Sequence, residues 1–285
     1  MNEILELFQY TFFRHAFFAA GLAAISCGII GTYIVSKRMV FITGRITHAS
    51  FGGIGIAYYL GLNPIFGAAV FALLTALGIE NLTKKAEIRN DSVIAILWSL
   101  GMAIGIIFVY LTPGYAPNLM SYLFGSILTV NSADLIYLCI LSLLIILFFS
   151  FFYRIILFIA FDEQFAITRR APVNLFNYLI IILISLTIVL NIKIVGIILV
   201  LSLLTIPQNA ANLFTKDFRK IIYLSIIIGF GGSFIGLIIS YLLDIPSGAT
   251  IIFSLAGLYL ILRLLRAAFV FKKKIQNNSL VNKMI

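Results

Sequence analysis

Residues 161–173 read FDEQFAITRRAPV, the clearest polar interruption in a chain that is otherwise mostly hydrocarbon. Before it, a long apolar run ends at Phe152, Tyr153 and Arg154; after it, another begins at Leu175, so the stretch joins two membrane spans. Asp162 can cap a short amphipathic helix, and Pro172 marks where the following span enters. Arg169 and Arg170 place the loop on the cytoplasmic side, where membrane proteins concentrate Lys and Arg.

Working outward, the composition agrees. Of 285 residues, 62% are hydrophobic and 11% charged, too few polar side chains to cover a soluble globule of this size. The net charge of +10 could suggest nucleic acid, but the basic residues sit between apolar runs rather than on a face interleaved with aromatics. They act as an orientation signal, and a nucleic-acid partner is excluded. Cys27 and Cys139 fall within apolar runs without CxxC spacing and read as small hydrophobes. The N-terminus lacks the basic region and small-residue cleavage site of a secretory signal, so the first span is expected to be retained.

A bilayer core needs roughly 20 apolar residues as helix. Toward the N-terminus, runs of that order cover 12–35, 46–62, 65–79, 92–111 and 135–153; toward the C-terminus they cover 175–190, 195–206, 221–243 and 249–270. The 46–62 and 65–79 runs are either two short tilted spans or a re-entrant hairpin. Gly101 and Gly105 have the spacing that lets helices approach closely. The segment after Leu111 holds Pro113, Gly114 and Pro117 and no Lys or Arg, and reads as an outer loop. A break is expected at Asn191, Ile192 and Lys193. With the 161–173 loop inside, 18 Lys and Arg fall on the inner side, while only Arg14 and Lys193 fall outside. The expectation is an all-α polytopic transmembrane bundle of about eight or nine spans with short broken helices, N-terminus out and C-terminus in. The transmembrane domain would fill 1–271 and a basic cytoplasmic tail 272–285.

Ionisable groups at membrane depth are costly, so each is a candidate for function. His48 opens the glycine-rich run THASFGGIG and, as a neutral imidazole, could ligate a transition metal in transit; the alternative is a histidine hydrogen-bonded to a neighbouring helix. Thr47, Gly52 and Gly53 flank it. In LLTIPQNAAN, Pro207 removes a backbone donor, and Gln208 with Asn209 can satisfy the freed groups or line a path. Paired broken helices in the two halves of a chain are the sequence pattern of a midplane translocation site. Asp244 reads as the cap of a turn with Pro246 and Gly248. GxxxxGK[ST], HExxH and GxSxG are all absent, so neither ATP hydrolysis through a P-loop nor intramembrane catalysis is expected of this chain.

Four stretches together resemble the membrane permeases of bacterial and archaeal ABC importers for manganese, zinc or iron. KRMVFITGRITHASFGGIGIAYYLG is similar to that family's segment after the first span, with Thr47, His48 and Ala49 at its SHA-type core. FDEQFAITRRAPV resembles the cytoplasmic FDPEFA…G.P loop, VGIILVLSLLTIPQNAANLFT the VG.LLV.ALL.IP.A.A segment, and LLDIPSGATI the D.PSG.T turn. The resemblance implies a plasma-membrane permease paired with a second copy, a cytoplasmic ATPase and an extracellular metal-binding lipoprotein. It binds no cofactor itself, and ATP is used by the partner. It also implies that Asp162, Glu163, Gln164, Phe165, Ala166, Arg169, Arg170 and Pro172 form the coupling surface for that ATPase. This chain has Gly44 where the family often has Asp, Glu163-Gln164 where Pro-Glu is usual, and Arg170 where Gly is usual. The runner-up is an ion-gradient-driven secondary metal transporter, which would need acids within its spans. A membrane scaffold without transport is a third class, and would not need broken polar helices.

Overall fold

The computed structural model describes residues 7–85, 90–113, 125 and 127–284, with side chains described for 7–78, 95–113, 125 and 127–269. Glu3, Glu6, Arg89 and most of the proline-containing outer loop lie outside these residues, as do the side chains of the basic tail. Twelve α-helices are described and no strand among these residues: α1 (Thr11–Ser36), α2 (Val40–Tyr59), α3 (Pro64–Lys85), α4 (Asn90–Leu111), α5 (Ser132–Phe151), α6 (Tyr153–Phe161), α7 (Glu163–Thr168), α8 (Val173–Val195), α9 (Ile197–Leu203), α10 (Ile206–Ala211), α11 (Phe218–Leu243) and α12 (Ser247–Met284).

Local chemistry sets where these helices begin and end. Asn131 and Asp134 form a reciprocal capping box at the start of α5. The Asp217 carboxylate accepts from the backbone N–H of Arg219 and Lys220 at the start of α11. At the other end of α11, Asp244 takes the left-handed conformation at φ 51°. The expected break at Asn191–Lys193 lies instead at Gly196, whose φ of 80° suits glycine and ends α8. The polar residues stay helical because each has a partner. Asn191 Nδ2 donates to Thr187 O at 2.8 Å, and Lys193 forms an ion pair with the buried Asp134. The run after Gly196 is divided at Thr205 into α9 and α10, with Pro207 in the first turn of α10, where its missing N–H costs nothing.

Among the described residues, five helices are long and apolar enough to cross a membrane: α1, α5, α8, α11 and the first part of α12. They differ in position. Seventy-two per cent of the most apolar window of α1 is buried against 33% of that of α5, so α1 is an inner helix and α5 a peripheral one. On α5 the buried residues Leu138, Leu141, Ser142, Ile145 and Phe149 form one stripe, while Ile136, Ile140, Leu143 and Leu147 face outward. A soluble protein could not leave such a face in water.

Cross-links between helix ends fix which ends share a side. Lys37 at the end of α1, Glu163 in the 161–173 loop and Asn177 at the start of α8 meet at one end. Asp134 at the start of α5 meets Lys193 near the end of α8 at the opposite end, where His15 Nδ1 also lies 3.0 Å from Val130 O.

Candidate functional site

Helix α2 is wrapped on nearly every side. It begins at Val40, earlier than the apolar run suggested, and so carries Arg45 into the bundle, where it is 3% exposed. Glycines make the tight packing possible. A Cβ on Gly53 would lie 2.1 Å from Gly67 O of α3, one on Gly52 2.9 Å from Gly101 O of α4, and one on Gly55 2.4 Å from Gly105 O. Gly52 and Gly53 therefore sit at backbone-to-backbone seams. The hydroxyls of Thr43, Thr47 and Ser50 each donate to a carbonyl one turn back in the same helix.

His48 is 9% exposed, and its Nδ1 is buried without a hydrogen-bond partner among the described residues. The expected alternative, a hydrogen bond to a neighbouring helix, is not made by this nitrogen. Its neighbour is the indole of Trp98 on α4, stacked with centroids 3.9 Å apart and planes 14° from parallel. Sequence reasoning missed Trp98, although a sole tryptophan within an apolar run was a usable signal. An orphaned buried nitrogen costs free energy unless something else engages it.

The second broken region is placed elsewhere. Gln208 is fully buried and donates from Nε2 to Cys27 O of α1 at 2.9 Å and to Leu203 O of α9 at 3.0 Å, leaving its Oε1 without a partner among the described residues. Pro207 is buried beside Gly229 of α11. Asn209 is exposed and donates to Thr205 O. Helix α10 packs on α11, α12 and α1, whereas α2 packs chiefly on α3 and α4, so His48 and Gln208 belong to different groups of helices. Among the described residues no three or more His, Cys, Asp or Glu side chains come together as a metal cluster.

At the opposite extreme of exposure lies the 161–173 loop. Asp162 caps α7, its carboxylate accepting from Phe165 N at 2.9 Å. Arg170 turns the chain with φ 58°, and Ala171 N returns to Ala166 O at 3.1 Å, closing the helix end. Pro172 then precedes α8. Gln164, Phe165, Ile167, Arg169 and Arg170 face outward. Ala166, expected on the ATPase-facing surface, is instead fully buried, because the short helix needs one small residue against the bundle. Beneath α7, Glu163 bonds Lys37 at 3.2 Å and accepts from Asn177 Nδ2 at 3.0 Å, while Lys37 also donates to Asn177 Oδ1 at 3.1 Å. Lys37 stands in the three-residue joint between α1 and α2, where Arg38 takes φ 57°. The loop is thereby tied to the joint from which the His48 helix departs.

Known proteins share this arrangement. The chain is 37% identical over 275 residues to a probable metal transport system membrane protein of Chlamydia trachomatis, covering 94% of each chain. It is 34% identical over 259 residues to the manganese transport system membrane protein MntC of Listeria monocytogenes, covering 89% of this chain and 92% of that one. Among solved structures, PsaBC from Streptococcus pneumoniae in complex with Fab superposes with a TM-score of 0.82 at 30% identity, covering 91% of this chain and 95% of that one. The model of the ABC 3 transport family matches residues 9–266. With its helices, its exposed capped loop and nearly its full length thus accounted for, this chain is a membrane permease of the ABC 3 transport family.

Proposed function

We propose that this permease imports a divalent transition metal, driven by ATP hydrolysed on a separate cytoplasmic ATPase that grips the outward surface of α7. Gln164, Phe165, Arg169 and Arg170 supply that surface, and Asp162 and Pro172 fix its shape. Nine crossings, with the N-terminus outside and the C-terminus inside, put 18 Lys and Arg on the ATPase side. Two permease copies flank the path, and an extracellular lipoprotein delivers the ion to the end where Asp134 and Lys193 pair.

The observation that carries this reading is the Lys37–Glu163–Asn177 clamp. A loop with no energy source of its own can bias the membrane helices only if its partner binds two states of the permease with different affinity. The clamp gives such a difference a route from α7 to the α1–α2 joint, and so to His48. The test is reconstitution of the permease with its ATPase and a panel of metals. Metal-stimulated ATP turnover and uptake are expected only with both subunits present. Cation transport by the permease alone would overturn the proposal.

A further inference from the structure

Helices α5 and α11 both pack on α1 and scarcely on each other, so a furrow runs between them with α1 as its floor. Its volume is about 480 Å³, and its sides keep helical spacing. On α11, Arg219, Ile222, Tyr223 and Ile226 fall at i, i+3, i+4 and i+7, a single face of the helix. Opposite them, Ile146, Phe149 and Ser150 of α5 lead into Tyr153 of α6 at the same intervals, and Ile25 and Ile29 of α1 close the bottom. The two ends of the furrow are unlike. Where α6 meets α11, the Arg219 guanidinium lies 4.3 Å from the centre of the Tyr153 ring, which itself stands 6.1 Å from Phe218. This is the end that carries α7, since the Phe218 ring also lies 6.1 Å from Phe161. From there the furrow follows α11 for about 10 Å to Ile226, between walls of isoleucine and phenylalanine. Arg219 enters no ion pair among the described residues, because the Asp217 carboxylate is turned onto backbone N–H groups. Arg154 and Lys220, the chain neighbours of Tyr153 and Arg219, are exposed and add to the positive charge at this end.

We propose that this furrow is a binding site for one anionic phospholipid, with the phosphate held by Arg219 and the first methylenes of an acyl chain laid between α5 and α11. The charge and the polarity both match such a molecule: a cation at one end, hydrocarbon at the other. Stacking on Tyr153 holds the guanidinium by its face, which leaves the fork of N–H donors at its edge for two phosphate oxygens. Tyrosine rings collect at the boundary between headgroups and hydrocarbon, and Tyr153 and Tyr223 both lie within a turn of Arg219, so they set that boundary at the phosphate. The bilayer brings lipid to the furrow, because α5 turns Ile140, Leu143 and Leu147 outward beside it. The site lies apart from α2 and does not depend on which ion the permease carries. Since α6 leads directly into α7, a lipid joining α6 to α11 braces the base of the exposed loop.

The full-length permease in detergent is stripped of lipid and titrated with phosphatidylglycerol or phosphatidylcholine, with bound lipid counted by native mass spectrometry. One phosphatidylglycerol per chain is expected to bind, at a concentration about fivefold below that needed for phosphatidylcholine. Arg219→Gln should raise the phosphatidylglycerol concentration required by about fivefold, and Ile222→Trp, which fills the furrow and leaves the charge in place, should abolish the bound lipid. Arg263→Gln, which removes an exposed cation on α12, should change nothing. Should Ile222→Trp fail to fold, Arg219→Gln, at an exposed position, decides alone. Equal binding of the two lipids overturns the proposal, as does undiminished binding in Arg219→Gln or in a folded Ile222→Trp. Equal weakening by Arg263→Gln would mark diffuse attraction to a basic surface, and displacement of the lipid by inorganic phosphate at the same concentration would mark a site for free anions; either overturns it. A change in the number of chains per particle in Ile222→Trp would assign the furrow to a second copy of the permease and overturn it too.

Discussion

Around His48 the backbones touch and one imidazole nitrogen is left open; around Glu163 the helix lies at the surface and its polar groups are matched. Gly53 and Gly67 bring α2 and α3 to backbone contact, while His48 Nδ1 inside that packing has no partner among the described residues. Helix α7 is only six residues long and largely exposed, yet Asp162 caps it and Glu163 is engaged by both Lys37 and Asn177. On the proposed function, the difference follows two tasks. A transient ligand needs an unfilled coordination position in a scaffold that will not relax to fill it. A contact that bears force needs its position fixed and its outward surface free.

This contrast can be broken first at the seam. Gly53→Leu, whose Cβ would meet Gly67 O at 2.1 Å, is expected to cost about 3 kcal/mol or more and to abolish a monodisperse folded peak on size exclusion. Gly78→Leu, where nothing lies within 4 Å, should leave the peak unchanged. At the clamp, Lys37→Met should cost under ~1 kcal/mol of stability, because Glu163 is 42% exposed. Metal-stimulated ATP turnover should nevertheless fall about fivefold, the equivalent of losing ~1 kcal/mol of coupling. Reversal of both charges, Lys37→Glu with Glu163→Lys, should restore part of it, and full activity in the single variant would remove the clamp from the transmission route. Asp162→Ala should weaken α7 by about 1 kcal/mol, read as faster amide exchange confined to 163–168. The smallest effect is expected at Gln164, exposed on α7. Gln164→Ala should move the melting stability by less than ~0.5 kcal/mol while weakening ATPase binding in a pull-down; unaltered binding would place the docking surface elsewhere.

Much of the architecture was legible because apolar runs of membrane length are separated by short polar breaks, and Asp162, Asp244 and Pro172 stand where their local chemistry predicted. What escaped depends on partners distant in sequence. Asn191 and Lys193 look like a break until Ser26, Thr187 and Asp134 are seen to engage them, after which the turn falls to Gly196. Ala166 reads as part of an exposed loop, but only packing reveals which side of a six-residue helix faces inward. His48 was visible as a candidate, whereas its environment was not, since Trp98 comes from a helix 50 residues further along. The last helix runs on beyond the apolar run that ends near 270, through the basic stretch to Met284, because nothing in FKKKIQNNSLVNK breaks a helix.

The glycine seams also limit how the molecule can move. Where two helices meet through side chains, one can slip along the other by letting rotamers rearrange. Where Gly53 faces Gly67 and Gly55 faces Gly105, any axial slip would drive the neighbouring side chains into backbone. Helices α2, α3 and α4 must then travel as a single block, and the bend that lets them do so has to come from the short segments at the block's edges, of which Lys37–Met39 is the one already fastened to α7.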